Sequence, residues 1–163
     1  MNAKTAIQIA LETAKTITDA YLGDLTDAEM LHRPSVGCNH IKWQLGHLIT
    51  SEHQMIDSCF PGKMPPLPVG FAARYAQENS KFDQPDFFDS KQLLLELHEQ
   101  QRNGTMQLLH QTSDTDLDRL APESIRSYAP NVGAAFIMQD VHWTMHAGQW
   151  AIIRRQLGRP ALF

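Results

Sequence analysis

Apolar residues recur along this chain at helical intervals, and strand-like alternation is absent. Over residues 3–21, Ala6, Ile9, Ala10, Thr13, Ile17, Ala20 and Tyr21 keep that spacing, and Gly23 stands as a stop. This predicts a first helix with one core stripe. Ile41, Leu45, Leu48, Glu52, Met55 and Cys59 make a second stripe, in a helix capped by Asn39 and ending near Cys59. Trp43, His47 and Gln54 sit beside it, which places His47 at the border of the core. Leu93, Leu94, Leu97, Gln101, Gly104, Leu108 and Leu109 mark a third helix, from a cap at Asp89 or Ser90 to about Thr112. A fourth runs from an Asn131 cap to Leu157, punctuated by Gly158 and Pro160.

The segments between them are polar or rich in proline. Thr26-Asp-Ala-Glu29 is a capping-box pattern for one short turn, and Arg33-Pro34 ends it. Residues 60–70 hold too many prolines for regular helix. Phe71–Tyr75 reads as a short helical piece, and Phe82, Phe87 and Phe88 as anchors of an otherwise irregular stretch to Asp89. Residues 113–120 carry a weak turn, and 123–130 form a loop closed by Pro130. Four long helices with two long crossings predict an all-α fold, a four-helix bundle with long crossover connections, as a single domain over residues 1–163.

Composition narrows the function classes. With 42% hydrophobic and 20% charged residues over 163 positions, the chain can bury a core without disulfides or metals as staples. A net charge of −4 argues against broad binding to nucleic acid or an anionic membrane. No stretch is apolar for long enough to span a bilayer, and the N-terminus has no signal-peptide pattern. Cys38 and Cys59 lack metal-ligand spacing and suit a reducing, cytoplasmic compartment.

The chemistry concentrates between Gln139 and Arg155. His142 and His146 stand four apart, on one helix face and about 6 Å apart along the axis. That spacing lets two imidazoles point at one metal ion, although Trp143 stands where the zinc-protease pattern has glutamate. A third ligand must come from elsewhere, and His47 is the candidate. Neutral imidazoles bind zinc, nickel and iron, and three of them leave an open site. The competing reading is an accidental pair, ordinary in a chain with eight histidines. Gln149, one turn beyond His146, is the candidate to support a ligand by hydrogen bonding; Asp140 is expected to face solvent. Trp43 and Trp143 are either walls of a substrate pocket or plain core. Glu52, about 140° around the helix from His47, is a weak catalytic candidate or a buried polar residue with a partner. His40, His53, His98 and His110 read as exposed or hydrogen-bonded, and His32 as unpartnered.

Taken together, Trp43-Gln-Leu-Gly-His47-Leu, His142-x-x-x-His146-Ala-Gly-Gln149 and Ile153-Arg-Arg155-x-Leu-Gly158-x-Pro160 resemble the DinB/YfiT-like metalloenzyme superfamily. The first segment is also similar to the DinB-type domain of iron-dependent sulfoxide synthases acting on hercynine, whose reaction is not carried over. The resemblance implies a four-helix bundle holding a divalent metal ion, zinc before nickel or iron, on His47, His142 and His146. It further implies a homodimer, for which an apolar face of the first or third helix is the candidate interface in this sequence. Its partners would be a low-molecular-weight thiol and an electrophilic small molecule, in a metal-dependent S-transfer, with hydrolysis as the lesser variant. The alternative is a non-catalytic metal-binding or stress-related bundle.

Overall fold

A computed structural model describes residues 1–163. Each long helix begins at a side-chain cap. Asn2 accepts the Thr5 amide and opens α1 (Ala3–Gly23). His40 Nδ1 accepts the Trp43 amide at 3.1 Å and opens α2 (Ile41–Cys59). Asn39, the expected cap, lies one residue too early, and its carbonyl accepts from the Gln44 side chain. The single turn α3 (Phe71–Arg74) falls within the proline-rich connection. Ser90 caps α4 (Lys91–Gln111), and Ser113 caps the short α5 (Asp114–Leu117). Asn131 caps α6 (Val132–Gln156). Just beyond it Gly158 takes φ +72°, a conformation that favours glycine and lets the Arg159 amide reach the Arg154 carbonyl at 2.9 Å.

The stripe expected on α2 is buried throughout, from Ile41 to Cys59. On α1 the expectation is corrected. Ile7, Leu11, Ala14, Thr18 and Leu22 face the core, whereas Ala6, Ile9 and Thr13 are exposed. Two apolar series of the same period run along this helix. The one that faces inward is the one turned toward α6 and α4, and it contains Leu11 and Leu22.

The packing partners fix the helix directions. α1 lies against α6 and α4, and α2 lies against the same two helices. Gln44 meets His146 and Trp150 while Met55 meets Gln139, so α2 and α6 are antiparallel. Lys4 reaches the His110 carbonyl while Lys15 pairs with Glu99, so α1 and α4 are antiparallel. The Arg154 guanidinium binds the Tyr21 carbonyl, and Ile7 and Leu11 share a core cluster with Phe136, so α1 and α6 run together. It follows that α2 and α4 are parallel neighbours, which requires a long return between them. Residues 60–90 make that return.

The crossover is tied down by burial and by one arginine. Phe71, Tyr75 and Phe88 enter the core, and Phe82 and Phe87 pack on its edge, as anchors should. Arg33 binds Asp83 and the carbonyls of Cys38, Ser80 and Phe82, joining the first connection to the crossover. In the first connection, Thr26 and Glu29 exchange hydrogen bonds of 2.7 and 3.2 Å, the reciprocal capping expected from their spacing. No helix is long and apolar enough to cross a membrane.

Candidate metal centre

His47 projects from the first half of α2 toward α6, where His142 and His146 stand one turn apart. One ligand-capable atom from each of the three lies within 4.8 Å of the others. The ring centroids are 5.2 Å apart for His47 and His142, 5.9 Å for His47 and His146, and 5.1 Å for His142 and His146.

Two neighbours orient these rings. The Trp43 indole stacks on the His47 imidazole, 4.9 Å between centroids and 9° from parallel. Its own N–H donates to the Ala76 carbonyl at 3.2 Å, which locks the indole in place. Gln44 acts on His146. Its Oε1 accepts from Trp150 Nε1 at 2.7 Å and from His146 Nδ1 at 3.0 Å, and its Nε2 donates to the Asn39 carbonyl at 2.7 Å. The amide is therefore held from both ends. With Nδ1 carrying the proton, the His146 Nε2 lone pair is free for a metal.

Burial removes proton competition. His142 and His146 are each pushed down to about 4, first by burial and then by the neighbouring histidines. Burial alone lowers His47. Three neutral imidazoles, one with its tautomer fixed by an acceptor, fit a divalent metal of the zinc, nickel or iron type. Three protein ligands are the number that leaves an open coordination position.

The other predicted residues fall elsewhere. Trp43 is buried, so it backs His47 and is no open pocket wall. Trp143 is fully buried about 80° around α6 from the histidine pair, 4.2 Å from the His98 ring and beneath the Arg102 guanidinium. The intervening position in His-x-x-x-His turns away from the ligands by helical rotation. Gln149 is exposed, and the hydrogen bond expected from it is supplied by Gln44. Glu52 is fully buried, accepts from Thr105 at 2.7 Å and pairs with Arg102 at 3.1 Å. That pairing removes it as a general base. His32 bonds Gln156 at 2.9 Å, and His98 lies fully buried 3.4 Å from Asp19. Gln44 and Trp150 were the residues missed. The available signal was an uncharged polar side chain in the apolar run Trp43-Gln44-Leu45, one turn before His47.

A family model described as the DinB superfamily matches residues 10–150. No curated protein matches the chain. Among solved structures, the chain is similar to the "conserved protein of locus from Enterococcus faecalis", with a TM-score of 0.68 and 16% identity over 98% of this chain and 99% of that one. At that identity the likeness speaks for the fold. With the match extending over most of the sequence and through all three histidines, the chain belongs to the DinB superfamily.

Proposed function

We propose that this protein is a metal-dependent enzyme that holds a divalent cation on His47, His142 and His146 and uses it to present a low-molecular-weight thiol to an electrophilic small molecule. The observation that carries the reading is the combination of three converging neutral imidazoles with an acceptor, Gln44, that fixes the tautomer of one of them. A bound cation would supply Lewis acidity, favouring the thiolate over the thiol at neutral pH. The protein's own part is to keep three lone pairs converged, to hold the His47 ring flat against Trp43, and to exclude competing protons by burial. Glu52 takes no part in proton transfer, so the thiol proton leaves to solvent. Zinc is the first choice of ion, because three imidazoles suit its tetrahedral preference. We place the protein in the cytoplasm, where Cys38 and Cys59, both unpaired, stay reduced.

The test is metal content after purification without a nickel column, for the intact chain, His47→Ala and His146→Ala. The expected result is close to one equivalent in the first and loss in both variants, followed by thiol-dependent turnover of model electrophiles. Metal retained equally by all three proteins would sink the site. A full equivalent of metal without turnover for any thiol would favour the non-catalytic bundle.

We propose further that two copies associate through α6. Ile137, Val141, Met145 and Ile152 are each about half exposed and recur along one side of that helix. A single self-complementary stripe is what a two-fold pairing of identical chains requires.

A further inference from the structure

A second feature adjoins the histidine cluster. At about 100° per residue, His47, Ser51, Gln54 and Ser58 fall within about 60° of arc on α2. This polar stripe leads from the cluster toward the C-terminal end of the helix, with Ser51 about 6 Å beyond His47. Its Ser51, Gln54 and Ser58 form one wall of a cavity of about 240 Å³ that begins one turn beyond His47, and the other wall is Ser124 and Tyr128 from the loop before α6. Met55 and Ile125, both buried, make its floor.

The loop wall is a built one. Ala121 N–H donates to the Pro130 carbonyl at 3.2 Å and Val132 N–H to the Arg119 carbonyl at 3.0 Å, closing the loop at its base. Ala121, Ile125 and Ala129 are core residues, and the Ala129 and Tyr128 amides both bond the Ile125 carbonyl. Ser124 and Tyr128 are thereby held facing α2. Of the five polar side chains lining the cavity, only Ser58 spends its hydroxyl within the protein, on the Met55 carbonyl at 2.7 Å.

No charged residue lines this trough. Asp57, next to Ser58, is turned away to accept the amides of Lys63 and Met64. Arg126, within the loop, is committed to the Ala121 carbonyl at 3.0 Å. The lining offers a charged group no counter-ion, and a hydrocarbon leaves its hydroxyls unmatched. An uncharged hydroxyl exchanges its water bonds for those of Ser51, Ser124, Gln54 and Tyr128.

We infer that the trough takes the uncharged, hydroxyl-bearing tail of the thiol, and so sets which thiol the site accepts. This rests on the thiol reading above. The test titrates the cobalt-loaded protein with three thiols of one length, mercaptohexanol, mercaptohexanoate and aminohexanethiol, and follows the thiolate-to-cobalt absorption band. The sulfur contribution cancels across the series, so differences report the tail. The expected result is about fivefold tighter binding of the alcohol than of either ion, the worth of roughly one net hydrogen bond. In Ser124→Asp, a change on an exposed loop position, the preference turns to the ammonium tail while the cobalt titration is unchanged. Equal binding of the three tails, or an order unmoved by Ser124→Asp, overturns the inference and leaves the thiol reading standing. A thiolate band absent with all three thiols, cobalt being bound, overturns the thiol reading and this inference with it.

Discussion

Gln44 carries more of the candidate centre than its ordinary side chain suggests. Its Oε1 is the single acceptor for two buried donors, His146 Nδ1 and Trp150 Nε1. Gln44→Met keeps the volume and removes the acceptor. Losing such a supporting bond typically lowers metal affinity by about 10–100-fold, and two stranded donors cost about 2 kcal/mol or more. Competition with a chromogenic chelator and urea unfolding of the metal-free protein read the two effects separately. His40 makes a different prediction. Its Nδ1 accepts the Trp43 amide and its Nε2–H donates to the Phe82 carbonyl at 3.0 Å, so the neutral ring is the one used. Burial pushes its pKa from 6.5 to about 4. The unfolded chain therefore binds a proton below about 6.5 that the folded chain refuses until about 4. His40's contribution is intact above that window and is lost as pH falls through it, up to about 3 kcal/mol. His40→Asn retains a cap for α2 and no titrating ring, so denaturant midpoints measured from pH 7 to pH 4 should fall less steeply than those of the parent chain. An unchanged slope would show that His40 titrates normally.

At the scale of elements, the close approach of α2 to the crossover fixes the sign of a familiar substitution. Glycine inside a helix ordinarily costs about 1 kcal/mol relative to alanine, so Gly→Ala stabilises. At Gly46 the Tyr75 ring occupies the space a Cβ needs. Tyr75 is itself fixed, donating to Asp89 Oδ2 at 3.1 Å and accepting the Asp89 amide at 3.0 Å. Gly46→Ala should destabilise, by about 1–3 kcal/mol, as overpacking does. It should also disturb His47, the next residue, so chemical denaturation and metal content should both fall. A stabilised variant would contradict this packing. In the sequence alone this glycine fits close packing, open space beside His47 or a tolerated defect, and only the fold decides, because Tyr75 lies 29 positions downstream in an irregular stretch. The cap at Asn131 was legible, and that of α4 was one of two candidates, Asp89 or Ser90, of which Ser90 makes the bond. The cap was misread at α2, where a histidine took the place of the expected asparagine.

For the whole molecule, the exposed stripe on α6 predicts association. Light scattering should give the mass of two chains, and the double variant Val141→Lys, Met145→Glu should give that of one with helical circular dichroism unchanged. A monomeric parent chain would dispose of the α6 interface. The sequence by itself determined the elements: the period of its apolar residues, the caps, and the glycines and prolines that stop helices are local properties, set within a few residues of one another. It also marked His142 and His146 as neighbours, because a single helix fixes their spacing. It could not choose between the two apolar faces of α1, since both share one period and burial is decided by the helices packed against it. Nor could it remove Trp143, Gln149 and Glu52 from the site, or bring in Gln44. Which side of a helix meets which partner depends on contacts across 102 positions, as between Gln44 and His146, and only the assembled bundle supplies those.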